Sequence, residues 1–226
     1  MILGIDTSTK LCSVALFDRD ELIVLCEDHS PNSHAEKITI LIDRAVNDVD
    51  IALDQLEAVC LADGPGSYTG LRIGASAAKG LCYALDLPLL ALGHLAATAE
   101  ESRSAFADAD YHLAAIDARR GNVYALLLDK NGEQVFGPEL IDAEKTLQNR
   151  INNLNGEVLL SGNASELITG KLGSQRIQRT KIRNSAAHLR HRSYQLLDNQ
   201  EFRDVRFFEP FYMQSPRITQ SKKLLL

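Results

Sequence analysis

A chain of 226 residues, 45% of them hydrophobic and with a formal net charge of −6, can bury one large core or two small ones, which excludes an intrinsically disordered protein. No apolar run approaches the ~18 residues of a membrane span, and Met1-Ile2-Leu3-Gly4 opens on strand-like sequence without a basic leader, so a soluble, cytoplasmic protein is expected. The charge is uneven: residues 1–110 hold 18 acids and 7 bases, net −11, while residues 111–226 hold 12 and 17, net +5.

Met1 to Asp6, Cys12 to Phe17 and Glu21 to Glu27 read as three short strands, the last two joined by a turn at Asp18-Arg19-Asp20. Ser33-His34-Ala35-Glu36 has the spacing of a capping box and predicts a helix start at Ser33. Ile38, Leu41, Ile42, Ala45, Val46 and Val49 give that helix one apolar stripe, and Ile40 falls outside it as the hint of a second contact surface. A buried strand at Ala58 to Ala62 runs into Gly64-Pro65-Gly66-Ser67-Tyr68-Thr69-Gly70-Leu71-Arg72-Ile73-Gly74, a tight loop that opens a helix to about Leu85, and a strand follows at Leu87 to Leu92.

Tyr111 to Ile116, Asn122 to Leu128 and Glu133 to Phe136 are strands again, separated by the loop Asp117-Ala118-Arg119-Arg120-Gly121 and the turn Asp129-Lys130-Asn131-Gly132. Helices near Ala143 to Ile151 and Ala164 to Leu172 flank a strand at Val158 to Ser161, a last helix runs from about Ser185 to Leu197, and the tail from Glu209 is irregular. An apolar strand ending in Asp, a short loop, a second strand, an Asp-led turn and a third strand therefore occur at Asp6 and again at Asp117. The repeat predicts an α/β fold of two β-β-β-α-β-α halves, residues 1–105 and 106–226, packed on each other. Cys12, Cys26, Cys60 and Cys82 lack CxxC spacing and sit in apolar contexts, which fits reduced thiols of a core.

The glycine-rich loop has two uses open to it. Its helix start can present free N–H groups to an anion, or the glycines can simply turn the chain sharply. Behind it Gly70, Gly74 and Ala78 recur every four residues beside Leu71 and Ala75, a smooth face that lets another helix approach; with Ile38 and Ile42 of the preceding helix it forms the expected partner interface. In the second half Arg176, Arg179, Lys181, Arg183, Arg190 and Arg192, interleaved with His188 and His191, make a basic cluster that would bind tRNA phosphates in a salt-dependent way or simply be a solvated face. Arg119 and Arg120 would face a nucleotide or the acidic surface of a partner.

Duplicated halves of this kind are the architecture of actin, Hsp70 and the sugar kinases. Within it, Ile5-Asp6-Thr7-Ser8-Thr9, the segment Gly64 to Gly74, Asp117 to Tyr124 and Glu209-Pro210-Phe211-Tyr212 together resemble the TsaB (YeaZ) family, paralogous to TsaD. The resemblance implies a part in making threonylcarbamoyladenosine on the tRNA adenosine beside the anticodon. It implies pairing with TsaD through the two helices of the first half, self-pairing when TsaD is absent, TsaE as a third member, and tRNA met through the complex. TsaD binds a metal ion through a helical His-x-x-x-His pair; here His34 is followed by Ile38, so no metal ligand set is expected, and His29 lies across Pro31 outside the helix. Asp6, Thr7 and Ser8 with Gly64 and Gly66 keep the form of a nucleotide site, but Arg119 and Arg120 replace a phosphate loop and Ser161-Gly162-Asn163-Ala164 holds one glycine where an adenosine motif pairs two. The expectation is a non-catalytic scaffold with no firmly bound cofactor, ATP or ADP and the metal belonging to TsaD and TsaE. The alternative is an enzyme with its own ATPase or glycoprotease-like peptidase activity, for which Ser67 and Thr69 lack a Gly-x-Ser-x-Gly frame and the partnering histidine would be a distant one such as His94.

Overall fold

A computed structural model describes residues 1–19, 21–30, 33–169 and 176–214. Strands β1 (Ile2–Asp6), β2 (Cys12–Asp18) and β3 (Glu21–Asp28) form an antiparallel ribbon; Asp20 of the expected turn lies outside the described residues. Helix α1 (His34–Asp48), strand β4 (Ala58–Gly64), helix α2 (Tyr68–Leu85) and strand β5 (Leu89–Gly93) follow, with β4 parallel to both β1 and β5. Helix α3 (His94–Ala105) leads to the second half: β6 (Tyr111–Asp117), β7 (Asn122–Asp129), β8 (Gln134–Asp142), α4 (Thr146–Asn152), β9 (Val158–Ser161), α5 (Ser165–Thr169) and β10 (Ile177–Arg179). The expected end of the α5 helix, Leu172, is outside the described residues. A 3-10 turn at Ala186–Leu189 runs into α6 (Arg190–Asp198).

The sheets order as β3-β2-β1-β4-β5 and β8-β7-β6-β9-β10, the same permutation twice. This is the duplicated α/β architecture that the two Asp-ended strands predict. The period-2 alternation of the strands explains how one sheet is covered on both faces. Leu3, Ile5, Val14, Leu16, Val59 and Leu61 point into a core with Ile38, Leu41, Ile42, Ala75 and Ala78 of α1 and α2. Their neighbours Ile2, Ala15, Phe17, Ala58, Cys60 and Leu90 point the other way, against Ala97, Ala186, Leu189 and Tyr194. Fully burying one of the Leu, Ile, Val or Phe side chains among them stabilises the fold by roughly 1.5–3 kcal/mol. All four cysteines are buried and unbonded, and burial pushes the Cys12, Cys60 and Cys82 thiols up to about 12.

Two elements depart from the sequence reading. Helix α3 has no expected counterpart because it lacks a single apolar stripe: Ala97 packs on the first sheet's cluster while Leu95 and Ala99 pack on the second sheet with Ala114, Ile116 and Leu126. A helix wedged between two sheets is apolar on two sides. The capping box at α1 does not form; Ser33 Oγ instead donates to Asp28 Oδ1 at 2.9 Å and to the Ser30 carbonyl, so the hydroxyl holds the incoming loop.

The last described stretch returns to the first half. Arg203 N donates to Leu89 O at 2.8 Å along the free edge of β5, Val205 and Phe208 pack on the α1 and α2 core, and Lys79 Nζ donates to the carbonyls of Arg206 and Phe208. Residues 201–214 thus form a strap without regular secondary structure, consistent with an irregular tail.

Candidate functional site

The glycine corner sits directly on the turn that follows β1. Ser67 caps α2, accepting from Gly70 N at 3.3 Å; Ser67 N donates to Ser8 O at 2.7 Å, and Thr7 Oγ1 donates to Gly70 O at 2.8 Å. A Cβ at Gly66, Gly70 or Gly74 would stand 2.3, 2.1 and 2.3 Å from Ser8 O, Thr7 O and Thr7 Oγ1. These glycines let α2 touch the β1 turn. Gly64, at φ +132, makes room for the strap: a Cβ there would lie 2.5 Å from Phe211 O, and Phe211 N donates to Asp63 O at 2.8 Å. Tyr212 of the strap meets Tyr68 with ring centroids 4.9 Å apart, and the Arg72 guanidinium lies over Tyr68.

Asp6 is 2% exposed and both its oxygens are engaged. Oδ1 accepts from Ser8 N at 2.9 Å and from Ser8 Oγ; Oδ2 lies 3.3 Å from His94 Nδ1, which is also 2.5 Å from Ser8 Oγ. Burial alone would raise the Asp6 carboxyl, but the adjacent His94 imidazole and the Ser8 hydrogen bonds outweigh it and hold the carboxyl below the usual carboxylate range. His94 is the first residue of α3 and is buried, with Nε2 left unpartnered. Asp63, at the end of β4, is raised by burial against the pull of Arg203 and His94. His94 therefore pairs with Ser8, whose hydroxyl is sealed from solvent, and not with Ser67; a peptide has no approach to that hydroxyl.

The equivalent turn of the second half is open. Asp117 N donates to Asn163 Oδ1 at 3.0 Å, Asp117 Oδ1 accepts from Arg119 N at 2.7 Å, and Arg119 and Arg120 stand exposed at φ 69 and 55, followed by Gly121 at φ 81. Asn184, itself buried, ties Asn163 N to Thr98 of α3.

The residues of the expected partner stripe lie inside the chain. Gly70, Leu71, Gly74, Ala75 and Ala78 are all buried against the chain's own first half, as are Ile38 and Ile42 of α1. The reason is the close approach of Gly70 and Gly74 to Thr7 and Leu61 and the packing of Ala75 and Ala78 in the first core cluster. The outward face of α2 is the opposite one, where Arg72, Ser76, Gly80 and Ala84 also recur every four residues and are exposed. A Cβ on Gly80 would meet nothing within 4 Å. Tyr83 is 83% exposed beside this row, and Ile40 of α1, the residue outside the stripe, is 56% exposed.

The remaining sequence candidates separate. His34 is buried with Nε2 3.0 Å from Thr9 O, His29 is exposed near Glu27, and among the described residues no three His, Cys, Asp or Glu side chains converge as a metal site. The basic cluster is no single patch. Arg190 and His191 clamp Glu101 at 2.8 and 2.7 Å; burial would raise that carboxyl, but the His191 hydrogen bond and the neighbouring cations bring it down to about 2. His188 is buried, which pushes its imidazole down to about 4. Arg179 lies 3.7 Å from Glu166, and Arg176 donates to Leu154 O. Lys181, Arg183 and Arg192 are left exposed.

A family model described as TsaD, tRNA N6-adenosine threonylcarbamoyltransferase, matches residues 28–197 of the chain. The chain is similar to the tRNA threonylcarbamoyladenosine biosynthesis protein TsaB of Haemophilus influenzae, 38% identical over 123 residues that cover 54% of this chain and 51% of that one. To TsaB of Escherichia coli it is 33% identical over 170 residues, covering 71% and 70%. The match thus spans about half the length of the Haemophilus relative and more of the other. Among solved structures, YeaZ from Pseudomonas aeruginosa superposes with a TM-score of 0.75 over 93% of this chain and 98% of that one, at 23% identity, which shows the shared fold.

Proposed function

We infer the function from the premise that this chain belongs to the TsaB (YeaZ) family: it is a non-catalytic, activating subunit for threonylcarbamoyladenosine formation on the tRNA adenosine beside the anticodon. It pairs with a TsaD-type transferase, which carries the metal and transfers the threonylcarbamoyl group, and TsaE joins the pair as the ATPase-bearing member. Alone, the chain pairs with itself.

The observation that carries this reading is the state of Asp6. In this architecture the acid after the first strand would place a magnesium-bound water beside nucleotide phosphates, and such an acid needs a free oxygen facing a cleft. Here both oxygens are satisfied by Ser8 and His94 within the protein interior. The pairing surface is read from the outward faces of α1 and α2, where Ile40, Tyr83 and the row Ser76-Gly80-Ala84 leave apolar and small residues exposed.

Reconstitution tests the proposal. The purified chain, threonylcarbamoyl-adenylate and tRNA are expected to give no modified adenosine until TsaD is added, and mass measurement is expected to show a heterodimer replacing the homodimer. Modification by the chain without TsaD would overturn the scaffold reading.

A further inference from the structure

The carboxyl ends of parallel strands are where α/β sheets present their ligand-binding loops. In the second half β6, β9 and β10 run parallel, and their carboxyl ends lead into residues 117–121, 162–164 and 180–184. Hydrogen bonds lace these three segments together: Asp117 N to Asn163 Oδ1, Gly162 N to Ile182 O at 2.9 Å, and Asn163 N to Asn184 Oδ1. The segments carry Arg119, Arg120, Lys181 and Arg183, all four exposed, and no ion pair engages any of them among the described residues. The acids at this end are occupied by local amides, Asp117 Oδ1 by Arg119 N and Asp142 Oδ1 by the amides of Glu144 and Lys145.

Two of these cations sit where a side chain is unfavourable. Arg119 and Arg120 adopt left-handed backbone at consecutive positions, next to a glycine that adopts it freely, so the turn would form more readily with glycine at all three. Keeping two long, unpaired guanidinium groups on a strained turn is a structural arrangement that internal packing does not explain.

We propose that Arg119, Arg120, Lys181 and Arg183 form a docking site for the phosphodiester backbone of a folded RNA. Three of the four are arginines, whose planar forks match phosphate oxygens in pairs. None of the three segments carries an aromatic residue, so the contact is with phosphates and not with stacked bases. The half that bears them carries the chain's positive excess, while the acidic first half would repel RNA and so orient it. The choice of RNA over another polyanion rests on the tRNA-modifying reading above.

The test is fluorescence anisotropy of an end-labelled tRNA transcript titrated with the full chain at several salt concentrations. Binding is expected to weaken linearly in log–log form, with a slope of about −3 if three or four phosphates are neutralised. R119G/R120G, which keeps the turn's backbone, is expected to weaken binding at least tenfold and flatten the slope by about 2, whereas R103Q/K130Q, removing two charges beside the β7–β8 turn at the opposite end of the second sheet, leaves both within twofold. Thermal melts confirm that both pairs fold. Equal losses from the two pairs, or no binding by the parent chain, would overturn the site. Displacement of the RNA by ATP at stoichiometric concentration would reassign it to a nucleotide, and displacement by polyglutamate charge for charge would reassign it to an acidic protein. A chain that still forms the TsaD heterodimer while losing nothing in R119G/R120G removes this site and leaves the scaffold reading intact.

Discussion

The two halves repeat one topology, yet the turn after the first strand is closed in one and open in the other. Asp6-Thr7-Ser8 is roofed by α2, with its carboxylate held by Ser8 and His94. Asp117-Ala118-Arg119 has no such roof among the described residues: the side chain that meets its backbone is Asn163, just before α5, in place of a helix start. The same fold position has become a structural joint in the first half and an exposed surface in the second. Which role a duplicated turn takes is decided by what packs over it.

Substitution at the roof of the closed turn gives the largest expected effect. Gly74→Leu drives a side chain into Thr7 and Leu61 and is expected to destabilise the monomer by about 4 kcal/mol in chemical denaturation, whereas Gly80→Leu, six residues further along the same helix but outward, is expected to leave stability unchanged and to abolish pairing. A Gly74→Leu chain with parental stability would break the contrast between a packed roof and a free face.

Removing the two equivalent acids sharpens it further. Asp6→Ala strands His94 and Ser8 in the interior and is expected to lower stability by about 3 kcal/mol, against less than about 1 kcal/mol for Asp117→Ala. Since the folded Asp6 carboxyl lies below its unfolded value, its contribution is present above the unfolded carboxylate range near 3.9 and is lost as pH falls through the folded value. The parent should therefore lose more stability below pH 4 than Asp6→Asn does. Comparable pH curves for the two would show that the first turn is no more sealed than the second.

His188, on the segment that closes the far side of the first sheet, gives a separate pH signature. Its imidazole is held neutral by burial down to about 4, while in the unfolded chain it takes up a proton near 6.5. The unfolded state then binds more protons between those values, so stability falls as pH drops from 6.5 to 4, by about 3 kcal/mol in all. His188→Gln should flatten that interval in urea titrations. The smallest effect is expected at the open turn: R119G/R120G should raise stability by about 1 kcal/mol through relief of left-handed backbone, a gain that no substitution at Thr7 or Ser8 should match.

Much of this was legible in the sequence, and the failures have physical causes. The duplication showed because strand alternation, turn residues and the terminal Asp recur in the same order. The glycine corner showed as a strand–loop–helix joint, but its use did not, since a glycine required by contact with Thr7 O and one that frees an amide for an anion look alike. That the expected stripe packs inside the chain was not legible, because α2 carries small residues every four positions on two opposite faces and sequence spacing does not say which one meets the sheet. Helix α3 was hidden by having two buried sides, and β10 by being three residues long with one apolar side chain. His94 carried no motif; its pairing with Asp6 arises only when β5 and β1 are brought to the same sheet.

The strap has a consequence for the order in which the first half can be completed. The edge of β5 receives Arg203, and the corner at Gly64 receives Phe211, so contacts that finish the N-terminal half arrive from residues far along the chain, after the whole second half. Such long-range closure slows folding, because the intervening segment must be organised before its far end can dock. During synthesis, β5 would remain an uncovered strand edge and the outer side of the β1–β2 ribbon would lack Ala186 and Leu189 until those residues emerge. The two halves are thus similar in plan but not independent as folding units: the second must be made before the first is sealed.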